Sequence, residues 1–188
     1  MNKIDYDKIF EAEAQAKRGV KLLLHCCCAP CATSVIERVK QNFDVTLYYY
    51  NPNIMPEEEY FLRAENLKKL ADIHGLPLVI EEYDNREFLD FAIDMKECKE
   101  GGARCEKCIK LRLDKTREYA RANGFNLFTT TLTVSPHKNA QMINEYGLSV
   151  AQGEYLPADF KKKNGFLRST ELSREYGIYR QNYCGCKL

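Results

Sequence analysis

Val20-Lys21-Leu22-Leu23-Leu24-His25-Cys26-Cys27-Cys28-Ala29-Pro30-Cys31 changes character at its middle. Val20 to Leu24 is a short apolar run, the pattern of a buried strand. Four cysteines and a proline follow. Beyond them Ala32, Val35, Ile36 and Val39 recur at i, i+3, i+4 and i+7, one face of a helix. A strand that passes into a helix through a short connection opens a βα unit. Upstream, residues to about Arg18 read as a helix stopped at Gly19. Downstream, Val45, Leu47 and Tyr49 alternate as on a strand, and Asn51-Pro52-Asn53 breaks it. Glu57–His74 is a long helix with Gly75 beyond its end, Leu78–Ile80 a short strand, and Glu87–Met95 a helical segment. After the Gly101-Gly102 break, Cys105 to about Asn123 is helical again, stopped by Gly124. Leu127–Leu132 reads as a strand, Ser135–Asn139 as a turn, and a helix then runs toward Gly147 or Gly153. A last helix spans about Ser169–Tyr176, ahead of a tail with Cys184 and Cys186.

Strands alternating with helices predict an α/β fold with a mostly parallel sheet. No linker, repeat or low-complexity block interrupts the chain, so residues 1–188 are expected to form a single α/β catalytic domain with a cysteine-containing C-terminal tail. Sites in such sheets lie at the carboxyl ends of the strands. The Cys26–Cys31 cluster and the Ser135–Asn139 turn both follow strands, so they are expected on one edge. Hydrophobic residues make up 45% and charged residues 29%, the balance of a soluble globular protein. No apolar run approaches the length of a transmembrane helix, and the amino terminus has no signal-peptide core. No membrane partner is expected, and the expected location is cytoplasmic. The net charge of +1 hides an asymmetry: residues 1–95 carry 17 acidic and 11 basic side chains, and residues 96–188 carry 10 and 17. A basic half suits a polyanionic partner as well as it suits a solvated surface.

The nine cysteines are odd in number, too sparse for a disulfide scaffold, and clustered. In a reducing compartment such clusters read as metal ligands or redox groups. Cys28 to Cys31 and Cys105 to Cys108 each hold a C-x-x-C spacing, which lets two thiolates converge on one metal, and thiolates suit zinc or iron–sulfur centres. A lone tetrahedral zinc would leave thiolates over. A thioredoxin-type dithiol at a helix N-terminus would need neither the flanking cysteines nor the second pair. Cys98 stands apart and reads as a small buried hydrophobe.

Several strings resemble, in order, one family: His25-Cys26-Cys27-Cys28-Ala29-Pro30, Tyr50-Asn51-Pro52-Asn53-Ile54, Arg104-Cys105-Glu106-Lys107-Cys108, Thr130-Thr131-Leu132 with Ser135-Pro136-His137-Lys138-Asn139, and Gly177-Ile178-Tyr179-Arg180-Gln181-Asn182-Tyr183-Cys184-Gly185-Cys186. Together they are similar to the epoxyqueuosine reductase QueH family, over about residues 20–186. The resemblance implies a three-layer HUP, adenine-nucleotide-hydrolase-like sandwich. It implies an oxidoreductase that turns epoxyqueuosine into queuosine at the wobble position of tRNA without cobalamin, using a 4Fe–4S cluster and an external low-potential electron donor. Carried over, the cluster ligands are Cys27, Cys28, Cys105 and Cys108. Cys31, where relatives can have aspartate, is expected at a second metal ion, iron or zinc. Cys184 and Cys186 match the family's tail as a redox-active disulfide or as further ligands. His137 is expected as a proton donor or substrate contact, and Lys138 and Asn139 of the same turn as substrate contacts. Arg180 is expected on phosphate, with Tyr179 and Tyr183 stacking on anticodon-loop bases. His25 is expected to orient a ligand rather than to react. Two rivals stand beside this reading. A tRNA sulfur-transfer enzyme would show S-G-G-x-D-S where this chain has Cys26–Cys31, and a zinc-binding nucleic-acid module would be colourless.

Overall fold

The computed structural model describes residues 4–188; the first three residues of the expected N-terminal helix lie outside it. The elements in chain order are α1 (Tyr6–Ala16), β1 (Lys21–His25), α2 (Ala29–Val39), β2 (Asp44–Tyr49), α3 (Glu57–His74), β3 (Leu78–Ile80), α4 (Arg86–Ala92), α5 (Ala103–Ala122), β4 (Leu127–Thr130), α6 (Ala140–Val150) and α7 (Gly165–Glu175). Single 3₁₀ turns follow α4 and β4. The sheet runs β3-β2-β1-β4 with every pairing parallel.

The strand β1 is central because its sequence allows nothing else. Leu22, Leu23 and Leu24 have no exposed surface, and each such burial stabilises by roughly 2 kcal/mol. Side chains alternate across a strand. Leu22 and Leu24 join α1, α2 and α3 in one core, while Leu23 joins α5 and α6 in the other. Two cores on opposite faces of one sheet make the three layers.

Strand order decides where a site can form. The chain steps outward from β1 to β2 to β3, then returns to place β4 on the other side of β1. The connections leaving β1 and β4 therefore diverge, which opens a crevice at the carboxyl ends of these two strands. The Cys26–Cys31 connection and the Ser135–Asn139 turn, both expected on one edge, converge there.

The strand expected over Leu127–Leu132 ends at Thr130. The Thr130 hydroxyl accepts the Leu132 N–H at 3.2 Å and turns the chain into a 3₁₀ turn over Thr131–Val134. The last helix begins at Gly165, one turn before the expected start. A Cβ on Gly165 would collide with the Phe160 carbonyl, so only glycine lets the helix start so close to that segment. A bridge from Phe128 to Tyr155 adds a pairing to β4 that the sequence did not announce.

Candidate metal and substrate site

The handover from β1 to α2 sorts the four clustered cysteines. Cys26 is fully buried in the core, its thiol donating to the Leu24 carbonyl at 3.4 Å. Cys28 is the N-cap of α2 with extended backbone, and Pro30 sits in the first turn, where a missing N–H costs nothing. Cys31 lies three residues on, on the same helical side as Cys28. The sulfurs of Cys27, Cys28 and Cys31 all lie within 4.8 Å of one another, with Cys27 and Cys28 at 3.9 Å. Thr131, from the 3₁₀ turn after β4, accepts the Cys27 N–H at 3.1 Å and returns its hydroxyl proton toward the Cys27 sulfur at 3.4 Å. Hydrogen bonds from the Cys28 and Cys31 thiols hold Cys27 well below the ordinary thiol range. The same bonds drive Cys31 well up and push Cys28 up to about 12. The trio thus favours charge on Cys27, at the positive end of α2, and releases protons when a metal binds.

The second group comes from α5 and the tail. Cys105 stands in the first turn of α5 and accepts the Gly101 N–H at 3.3 Å. Cys108, one turn on, is buried, which pushes its thiol up to about 11. Cys105, Cys108, Cys184 and Cys186 line one small enclosure, with Phe88 as its floor. Of the four cysteines expected as one ligand set, Cys27 and Cys28 stand with Cys31, and Cys105 and Cys108 stand with the tail pair in the adjoining enclosure. Cys184 joins the two groups, because it also lines the open cavity of about 530 Å³ beside the trio.

The tail is clamped into place from α3. The Arg63 guanidinium is 2% exposed and paired with Glu59 at 2.7 Å. It donates to the carbonyls of Cys184 at 3.0 Å and Tyr183 at 3.4 Å, and lies over the Tyr183 ring. Gly185, at φ +105, passes close to Ile54 and Arg63, where any Cβ would be crowded. Its carbonyl accepts the Met55 N–H at 3.0 Å.

Between the two thiol groups lies Arg112, one helical turn beyond Cys108. It is 2% exposed and lines both cavities. It donates to the Cys108 carbonyl at 3.3 Å and the Asn51 side-chain oxygen at 3.4 Å, and among the described residues no carboxylate pairs with it. A buried cation is tolerated only against anions. Burial works against its charge, and the sulfurs of Cys108, Cys184, Cys27 and Cys105 are the groups placed to offset that cost when they carry negative charge. Asn51 in turn ties the two ends together by donating to the Cys26 carbonyl at 2.9 Å.

The remaining site residues divide by contact. His137 and Lys138 line the open cavity with Arg180 and Tyr183. The Lys138 side chain is 8% exposed, 3.6 Å from the Cys184 sulfur and 3.7 Å from Glu100. Asn139 does not face the cavity: its side chain caps α6 by accepting the Met142 N–H at 3.2 Å. Tyr179 is turned onto α3, with its hydroxyl 3.4 Å from Glu59 and its N–H on Asn66. His25 is fully buried between the Thr130 hydroxyl at 2.8 Å and the Tyr50 carbonyl at 3.1 Å. Burial, then the nearby Arg112, lowers its pKa to about 4. It is neutral near pH 7, its Nε2–H donating to Tyr50 and its Nδ1 accepting from Thr130. Cys98 is half-buried and joins neither thiol group. Arg63 and Arg112 are the functional side chains that sequence reasoning missed as such. Arg112 had a signal, its i, i+4 position from Cys108 on a helix.

The whole donor set suits a thiophilic metal: seven sulfurs, one of them with its pKa held down by its neighbours, around a buried cation that needs anions. Cys27, Cys28 and Cys31 form a group able to hold a metal ion. No helix among the described residues is long and apolar enough to cross a membrane.

Known proteins resemble this chain to different depths. The solved U34-tRNA thiolase NcsA from Methanococcus maripaludis, a structure with its 4Fe–4S cluster, superposes with a TM-score of 0.59 at 12% identity, over 96% of this chain and 69% of that one. That likeness is one of fold, the three-layer sandwich of the adenine-nucleotide-hydrolase type. The curated relatives are much nearer. The chain is 41% identical to the epoxyqueuosine reductase QueH of Streptococcus pyogenes serotype M1, over 98% of this chain and 77% of that protein. It is 39% identical to that of Staphylococcus epidermidis over 98% and 84%, and 38% identical to that of Thermotoga maritima over 88% and 88%. The model of the family "Epoxyqueuosine reductase QueH" matches residues 22–188, from the buried leucines of β1 to the end of the cysteine tail, and the chain belongs to that family.

Proposed function

We propose that this chain reduces epoxyqueuosine to queuosine at the wobble position of tRNA, at a thiolate-held metal centre served by a redox-active dithiol. The observation that carries the reading is the convergence of seven of the nine cysteines on the crevice at the ends of β1 and β4. Cys27, Cys28, Cys105 and Cys108 are the ligands proposed for a 4Fe–4S cluster, with Cys31 beside them. The trio's spacing also suits a single ion, since a tetrahedral site with metal–sulfur bonds of about 2.3 Å has edges of roughly 3.8 Å. With Cys27 and Cys28 given to the cluster, Cys31 is the thiol of that trio left for a second metal, iron or zinc. When bound, the centre supplies single electrons at low potential and a Lewis-acidic pole for the epoxide oxygen.

The chain's own residues supply the rest. Both carbon–oxygen bonds of the epoxide break, a carbon–carbon double bond forms, and the oxygen leaves as water after taking up two electrons and two protons. The Cys184 and Cys186 thiols supply two electrons and two protons as they join in a disulfide, which balances the equation. An external low-potential donor then restores the dithiol. Lys138, whose ammonium donates toward the Cys184 sulfur at 3.6 Å, stands where a proton passes from that thiol to the leaving oxygen. Arg112 neutralises the negative charge that gathers on the sulfurs. His137, Arg180 and Tyr183 line the open cavity as contacts for the anticodon loop.

The test is an anaerobic assay on tRNA carrying epoxyqueuosine, run on iron- and sulfide-loaded protein. Queuosine should form, the preparation should be brown, and Cys184→Ser and Cys186→Ser should each stop turnover with iron content unchanged. A colourless protein that takes up one zinc and no iron, even after reconstitution, would sink the redox chemistry in favour of a zinc module.

A further inference from the structure

A second cavity, of about 570 Å³, lies between α1, α2 and α7, with no cysteine in its lining. Five cations surround it: Arg18, Arg38, Lys162, Lys163 and Arg168. Acidic groups neutralise part of this charge. Lys163 pairs with Glu11, Arg168 reaches Glu37 at 2.8 Å, and one Arg38 nitrogen reaches Asp7 at 2.7 Å. Arg18 and Lys162 enter no ion pair among the described residues. Two further polar atoms on this wall are shielded from solvent and have no hydrogen-bond partner, Ser34 Oγ and Arg38 Nη1. Ser34 is 4% exposed. An unpaired buried donor is unfavourable unless a ligand completes it. A hydroxyl and a guanidinium N–H, ringed by lysine and arginine, match the oxygens of a phosphate.

The position of the pocket says which phosphate. Pro30 and Cys31 on α2 line the thiol cavity, and Ser34 and Arg38 on the same helix line this one. At 1.5 Å per residue, Arg38 lies only about 10 Å along the axis from Cys31. The helix α7 is shared in the same way, with Phe166 toward the thiols and Arg168 toward the pocket. We propose that this pocket binds a phosphate group, and that in the working complex it is a backbone phosphate of the RNA whose base enters the thiol cavity. The second half rests on the reading of the chain as a tRNA-modifying enzyme; the first half does not.

The experiment uses the metal-loaded protein and two probes, an unmodified anticodon stem–loop RNA and inorganic phosphate. RNA affinity is measured from 50 to 200 mM salt for the natural chain, for Arg18→Gln/Lys162→Gln, both exposed positions, and for Ser34→Ala. Lys138→Gln in the thiol cavity serves as the control. The double variant should bind about tenfold more weakly, with its salt slope reduced by about one to two. Phosphate should raise the melting temperature of the natural chain, and less so that of Ser34→Ala. Stabilisation by phosphate with an unchanged RNA slope keeps the pocket, assigns it to a free phosphorylated ligand, and overturns the RNA source. If RNA binds, Lys138→Gln weakens it, and neither the double variant nor phosphate has any effect, the pocket is overturned and the tRNA reading stands. If RNA does not bind the natural chain at all while phosphate does, the tRNA reading falls and the pocket survives it.

Discussion

Replacing Arg63 by methionine tests how the cysteine tail is held. The Arg63–Glu59 pair is at 2.7 Å with side chains 2% and 10% exposed. With an effective dielectric constant near 20, charges that close attract by about 6 kcal/mol, against which stands the cost of burying both. Arg63→Met removes the attraction, leaves the Glu59 carboxylate buried, and deletes the two bonds to the tail carbonyls. One-sided loss of such a pair costs about 3–5 kcal/mol. The reference is urea unfolding of the metal-free, reduced protein. A second variant, Glu59→Gln/Arg63→Met, leaves no orphaned charge and should recover about half of that loss. It restores no bond to Cys184 or Tyr183, so the tail stays loose in both variants. Alkylation of Cys184 should therefore be at least tenfold faster than in the natural chain, in the single and the double variant alike. An Arg63→Met protein that loses less than about 1 kcal/mol and alkylates at the natural rate would refute the clamp.

Arg112→Met should leave the sulfur-held charge without its counter-ion, moving the midpoint potential of the loaded centre down by about 60 mV or more, a tenfold change in the one-electron equilibrium; Arg112→Lys should recover most of it in a potentiometric titration. His25 has a folded pKa of about 4 against 6.5 unfolded, so the unfolded chain binds the extra proton between those values. Its contribution is complete above pH 6.5 and is lost as pH falls toward 4, about 3 kcal/mol in the metal-free protein. In His25→Asn, acid unfolding should lack that portion of the slope. Cys26→Ala should cost about 1 kcal/mol in denaturant and leave iron loading unchanged, because its sulfur faces the core; loss of iron in that variant would place Cys26 among the ligands.

Local patterns were legible and distant pairings were not. The leucine run of β1 and the helical spacing after it announced a βα unit, and the parallel sheet followed from repetition. Thr131 and Leu132 have the composition of a strand, yet the Thr130 hydroxyl turns the chain there, a competition between side chain and ladder that composition does not show. Within each C-x-x-C the convergence of two thiols is a property of three residues of helix. How the pairs group in space depends on β1, α5 and the tail meeting across the sheet, so the division into two thiol groups was not readable. Arg63 looked like one charge among many on an 18-residue helix; Glu59, one turn before it, is what lets it go under the surface. Asn139 precedes a helix, and its capping role was open to view. Tyr179 was placed by its neighbours in the chain, whereas its hydroxyl follows Glu59.

The clamp on the tail also sets an order of assembly. Cys27, Cys28 and Cys31 are within one connection of each other and come together as soon as β1 and α2 form. Cys184 reaches them only when a segment more than 120 residues away in sequence from Arg63 has docked on it. Contacts across such separations are slow to close and are among the first to open. The docking depends on a few hydrogen bonds and on cation–ring contacts, Arg63 over Tyr183 and Arg180 over Phe166, with Cys186 resting against Phe88 and Cys108. Sub-global opening can therefore bare the four-sulfur enclosure while the sheet stays intact. A metal centre of the kind proposed would then have a route in without unfolding, with the seated tail to shield it afterwards.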